Sequence, residues 1–380
     1  MNQKYKVLLL TFFCVIITSL WSNNIYLLFG FSFLCWLFVP QKKWWDRIAV
    51  AILLFSFFYG LMVIINGRNS SYFVLLSYII SPVAFYRFGR LLMDIYKDDL
   101  SRQKFLMFSV LLYLLNIYIL TLRDIAMVGF INETRMLLGD IDSKVSATMY
   151  GAMLSIGIAC IGTVFIKMQN LWVKLCYLVI TILSLLCVIH LVNRTGLIIF
   201  VTCIVVMFFI LTKRNVFRTL CILMALVVLA YIIINMGIID QSIIDAYIQR
   251  EDSLTTNSAE LGGRKSIWML ALNDFYNNPL GWNSSEYKYV HNLWLDIARV
   301  GGLFSLIPFM FATLLSVKNL FRLSFKNRLS QTDIIIISIT VSMFMTSFVE
   351  PIIDASILLL CILMMFWGIT TSLSKENVDK

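Results

Sequence analysis

The sequence predicts an all-α polytopic membrane protein of about twelve transmembrane helices. Both termini are read as cytoplasmic, with a large extracytoplasmic helical loop between spans nine and ten. Three observations lead there. The 380 residues are 60% hydrophobic and only 14% charged, whereas a soluble domain is roughly 45–50% apolar and about 25% charged, and mean hydropathy is +0.86. The apolar residues fall in runs that approach the ~20 residues needed to cross a bilayer core, without the alternation of barrel strands. The net charge of +10 also sorts by side. In a soluble protein such an excess would suggest nucleic acid; here it reads as topology.

Taken in order, the apolar runs are roughly 7–21, 25–39, 48–65, 72–86, 105–121, 149–166, 174–192, 196–212, 219–237, 300–317, 333–349 and 355–372. Lys4 and Lys6 stand before residues 7–20 as in a signal peptide, but no small-residue cleavage site follows. An uncleaved first span is therefore expected. Ser81-Pro82 should kink the fourth span. Twelve spans place both termini on one side. That side holds 21 basic against 7 acidic residues, a net of +14, and the other holds 10 against 14, a net of −4. Lys and Arg accumulate in cytoplasmic loops, which makes the first side cytoplasmic.

The chain reads as a single integral membrane domain, 1–380, with no repeat or linker. Its sizeable outer loops are about 122–148 and 238–299, and chemistry is expected in the second. There, Ile239, Ile243, Ile244, Tyr247 and Ile248 predict an amphipathic surface helix over 238–250. A second helix is expected over 264–276, with Ile267, Trp268, Leu270, Ala271 and Phe275 as its apolar face. Asn277-Asn278-Pro279-Leu280-Gly281 should stop it. All eight cysteines lie in apolar runs without metal-ligand or CxxC spacing, so they read as reduced packing residues.

Few residues on the outer side could do chemistry. The two histidines, His190 and His291, both fall there. An imidazole titrates near neutral pH and suits the removal of a hydroxyl proton; the plainer alternative is a capping or interfacial role. Arg194 sits in a very short connection between two apolar runs, where it either snorkels or meets an anion. Its guanidinium fork matches phosphate oxygens. Arg264 and Lys265 open a predicted helix whose N-terminus adds to an anion site. Arg135 and Arg299 are further outer cations, and Asp296 is spaced to pair with Arg299 on one helix. Glu350 and Asp354 flank Pro351 in the last outer turn and read as solvated charges able to bind sugar hydroxyls. No HExxH, Walker loop, GxSxG or GxGxxG is present, and neither metal nor cofactor is predicted.

Three elements in this order resemble the O-antigen polymerase and O-antigen ligase family of bacterial membrane glycosyltransferases. They are Asn193-Arg194-Thr195-Gly196; Gly263-Arg264 with Trp268 and Asn278-Pro279-Leu280-Gly281; and His291-Asn292-Leu293-Trp294-Leu295 with Gly301-Gly302-Leu303. Asn193 in place of Ser, and Asn283 where a second loop Gly is common, depart from the family pattern.

The resemblance implies a bacterial cytoplasmic-membrane enzyme whose site faces the periplasm or exterior. It would transfer glycan from a polyprenyl diphosphate donor to a sugar hydroxyl of a lipid-linked acceptor. His291, Arg194 and Arg264 are then the catalytic candidates. Asn292, His190, Lys265, Arg135, Arg299 and Trp268 are candidates for binding substrate. Membrane lipids, a chain-length regulator and a flippase are the implied partners, and nucleic acid is not. The shared motifs leave polymerase and ligase open. A lipid-linked oligosaccharide flippase is a further alternative, disfavoured because the span centres are almost free of charge.

Overall fold

The computed structural model describes residues 25–38, 45–66, 71–132, 136–138, 144–166, 168–212, 215–236, 241–252, 264–283, 287 and 289–376. The predicted first span, Arg135 and the Gly262-Gly263 pair lie outside them. The helices are α1 (Ile25–Phe38), α2 (Arg47–Ile65), α3 (Tyr72–Ile95), α4 (Asp99–Val128), α5 (Ala147–Ala159), α6 (Leu171–His190), α7 (Arg194–Leu211) and α8 (Val216–Asn235). After them come α9 (Gln241–Asp252), α10 (Arg264–Asn277), α11 (Leu293–Ser324), α12 (Gln331–Val349), α13 (Ile352–Ala355) and α14 (Ile357–Lys375). A short antiparallel ribbon pairs β1 (Met136–Leu138) with β2 (Lys144–Ser146) in the first outer loop, where the sequence gave no cue to strands.

The chain is a multi-pass α-helical membrane protein. Among the described residues eight helices are long and apolar enough to cross a membrane: α2, α3, α4, α6, α7, α11, α12 and α14. Ile25–Phe38, Thr148–Thr163 and Val216–Leu229 are shorter apolar helices at three further predicted spans. Several helices outrun their apolar stretches. The third helix continues through Pro82 to Ile95, and the fourth starts at Asp99, capped by the Asp98 carboxylate on Ser101 N.

The most buried helices are α12 and α14. Where α3 meets α14 the backbones nearly touch. A Cβ on Gly89 would fall 2.1 Å from Met365 O, and one on Gly368 2.1 Å from Tyr86 O. Small residues permit such an approach, and close packing is what holds helices together where lipid removes the hydrophobic drive. Exposed apolar side chains such as Phe33, Phe57, Ile182 and Ile307 cover the remaining faces, as a bilayer solvent requires.

Polar contacts gather at the helix ends. At one end Asp46 caps α2 and meets Arg90 at 2.7 Å and Tyr86 Oη at 2.9 Å. Beside it the buried Arg87 guanidinium lies 4.9 Å from the Trp36 ring and 5.4 Å from that of Trp45. Arg102 donates to Met93 O and Tyr96 O, closing the end of α3, and pairs with Glu376. The candidate chemistry lies at the other end.

Candidate functional site

The loop after α10 fixes this site. Gly281 (φ +111) turns the chain, and the Asn278–Gly281 segment enters a break in α11 at Gly302 (φ 58, ψ −163). The break frees backbone groups, and each has a partner. Leu303 N donates to Pro279 O (2.8 Å), Trp282 N to Arg299 O (2.9 Å) and Asn66 Nδ2 to Val300 O (3.0 Å). Only glycine fits at the break, because a Cβ on Gly302 would lie 2.6 Å from Leu280 C in a left-handed conformation. A small core of Ala271, Trp282, Tyr287, Val290 and Ala298 locks the loop, with Ile267, Trp268 and Phe275 packed on it. The predicted apolar face of α10 is correct except at Leu270, which is exposed because the core lies to one side of it.

This scaffold presents His291. Trp268 Nε1 donates to Val290 O at 3.0 Å, and Val290 N donates to the buried Asp296 carboxylate at 2.9 Å. One residue on, His291 has φ +58, a left-handed conformation that costs a non-glycine residue roughly 1–3 kcal/mol. Asn292 then caps α11 through Leu295 N and reaches Phe348 O at the end of α12 with its amide nitrogen. The half-buried His291 ring leaves Nδ1 buried with no hydrogen-bond partner among the described residues. Desolvation, then the Arg264 charge, lowers its pKa to about 4, so the ring is neutral at physiological pH.

Arg264, at the first turn of α10, places Nη2 3.2 Å from Glu350 Oε1. Glu350 is 2% exposed, unlike the solvated charge the sequence suggested, because it closes the end of α12 beneath the loop. His291, Asn292, Arg264 and Glu350 therefore converge. Lys265 is exposed. Trp268 and Arg299 serve the scaffold, Arg299 with Nε 3.8 Å from Asp296 Oδ1.

Arg194 stands on a separate turn. Val192 (φ +47) and the Asn193 cap on Gly196 N make the α6–α7 connection tight. The Arg194 Nη2 donates to Tyr247 O at 2.9 Å, tying α9 to this turn as the amphipathic pattern predicted. No hydrogen bond joins it to His291 or Arg264 among the described residues. Cys203 Sγ lies 3.9 Å from Ser338 O where α7 and α12 pack, so Arg194 and Glu350 occupy the same end of two adjacent helices.

His190 is placed differently from His291. It is wholly buried, with Nδ1 2.8 Å from Phe130 O and Nε2 2.8 Å from Asp124 Oδ2. Both partners are acceptors, so the ring presents no lone pair to a substrate and clasps the end of α4 to α6.

No group of three or more His, Cys, Asp or Glu side chains suited to a metal occurs among the described residues. Asp140 and Asp142 do have the spacing of a DxD carboxylate pair, and both lie outside those residues. The arrangement offers a neutral base, a guanidinium beside it, a buried carboxylate that holds the guanidinium, and a second guanidinium on the next turn. No protein-family model matches the chain, and no curated protein is similar to it.

Proposed function

We propose that the chain is a polysaccharide polymerase. It transfers glycan from a polyprenyl diphosphate donor to a sugar hydroxyl of a lipid-linked repeat unit at the outer face of the bacterial cytoplasmic membrane. The observation that carries this reading is the neutral, unpartnered His291 beside Arg264 at the end of apolar spans. A lipid-anchored diphosphate would bring its charge to such a place while its tail stayed in the bilayer.

In the proposed step His291 takes the proton of the acceptor hydroxyl. The hydroxyl oxygen bonds to the anomeric carbon, and the bond from that carbon to the diphosphate oxygen breaks. The diphosphate leaves with the electron pair, and Arg264 and Arg194 offset the charge that grows on it. Arg194 exchanges its bond to Tyr247 O for a phosphate oxygen. Diphosphate is a good leaving group without protonation or a metal ion. An imidazole with a pKa of about 4 is a weak base in the empty site. Diphosphate beside Arg264 reverses the local field and raises the imidazole pKa toward neutrality, so base strength appears when donor is bound.

A ligase that moves finished glycan to lipid A core or another carrier would use the same chemistry. Glycan analysis of a strain lacking the chain, beside its complemented parent, tests the reading. Accumulated single lipid-linked units support polymerase, and long unattached polymer supports ligase. Unchanged glycans in the deletion strain contradict both.

A further inference from the structure

Far from His291, α2 and α11 enclose an apolar groove of about 690 Å³. Val50, Leu54, Phe304, Ile307 and Phe311 line it and are exposed, so it opens sideways to the bilayer. Its upper end lies at Phe58 and Phe304, whose rings are 5.8 Å apart. Its lower end is the start of α2, with Trp45, Asp46 and Arg47.

The charges at that lower end are unequal. The Asp46 carboxylate is matched by Arg90 at 2.7 Å and Lys375 at 3.7 Å, besides Tyr86 and two backbone N–H groups. Arg47 is exposed, and among the described residues no acidic side chain pairs with it. The mouth is therefore cationic, with an exposed tryptophan at its rim of the kind that marks a membrane interface. At 1.5 Å per residue the groove runs about 17 Å from Arg47 to Phe58. That is close to half of a hydrocarbon core ~30 Å thick, one leaflet deep. The leaflet is the one away from His291, because Asn66 at the other end of α2 bonds Val300 O near the start of α11.

We propose that this groove holds an acyl chain of an anionic phospholipid from the leaflet at the Arg47 end, with the lipid phosphate on Arg47. Length, apolar wall and unmatched charge agree on that occupant. The diphosphate of a glycan donor bound at His291 would lie at the opposite end of α2. The inference rests on membrane insertion alone and stands or falls separately from the transfer reaction.

Native mass spectrometry of the full chain, released from detergent with added phosphatidylglycerol or phosphatidylcholine, tests it. Arg47→Gln removes the charge, and Ile307→Trp fills the groove from an exposed position. Phosphatidylglycerol should stay on the wild-type protein, and R47Q should lower its retention about fivefold, the effect of one basic side chain near an anionic surface. R47Q should leave phosphatidylcholine retention unchanged, and I307W should lower both. Equal phosphatidylglycerol retention by wild type and R47Q, or none by wild type, overturns the proposal. Preferential retention of added polyprenyl phosphate makes the occupant an isoprenoid and overturns it as well.

Discussion

Arg264 Nη2 lies 3.2 Å from Glu350 Oε1, so one ion pair joins the first turn of a loop helix to the end of a span 86 residues later. The carboxylate is 2% exposed and the guanidinium side chain 22%. Removing one partner from a buried pair costs about 3–5 kcal/mol, an upper bound here because Arg264 reaches solvent. Glu350→Ala should lower the unfolding temperature in detergent and speed proteolysis of the 264–290 loop. Glu350→Gln, which keeps an acceptor, should do less. The R264A/E350A double variant should lose less than the two single losses together; strict additivity would mean that the pair does not couple.

His291 and His190 can be separated by titration. The chain has two histidines, so histidine-labelled protein gives two imidazole signals. The His291 signal should stay neutral down to about pH 4. Arg264→Gln removes a charge that lowers its pKa and should move the midpoint up, as should added inorganic pyrophosphate. The stability consequence has a definite sign. Between the ordinary value of 6.5 and about 4 the unfolded chain binds a proton that the folded chain does not, so stability falls as pH falls through that window. His291→Gln should flatten that dependence. A midpoint at 6.5 that ignores both pyrophosphate and R264Q would contradict the assignment.

His190→Gln should act on stability, not chemistry. It leaves the buried Asp124 carboxylate and Phe130 carbonyl competing for one amide donor, at about 1–3 kcal/mol for a group left unsatisfied. The unfolding temperature should drop while the pH dependence of turnover in the folded fraction stays that of wild type. A shifted pH profile would give His190 a part in the reaction.

Much of this was legible in the sequence. The apolar runs foretold the helices, and the 3.6-residue spacing of Ile243, Ile244 and Tyr247 foretold a surface helix. The start of α11 was misplaced by seven residues, at 300 instead of 293, because Asp296 and Arg299 interrupt the apolar run. Those charges are buried against each other and against Val290 N, contacts absent from any local pattern. Nor could local pattern separate His190 from His291. The difference lies in Asp124 and Phe130, some sixty residues upstream of His190. The burial of Glu350 was hidden for the same reason, since Pro351 and Asp354 beside it read as a solvated turn.

Gly302 tests the break in α11. Gly302→Ala puts a Cβ 2.6 Å from Leu280 C in a conformation already unfavourable by roughly 1–2 kcal/mol. The loop must withdraw, and Leu303 N loses Pro279 O. Amide exchange at Leu303 and Trp282 should rise at least tenfold, as about 1.4 kcal/mol of lost local stability requires. Unchanged protection would mean that the loop does not hold the break.

The most direct test of the proposed reaction uses purified chain in lipid vesicles with a polyprenyl-diphosphate-linked oligosaccharide as both donor and acceptor. The wild-type protein should release polyprenyl diphosphate and lengthen the glycan. His291→Ala, folded and membrane-inserted, should lower the rate at least a hundredfold, the usual share of a general base. Glycan extension by His291→Ala at the wild-type rate, or none by folded wild type, would contradict the account.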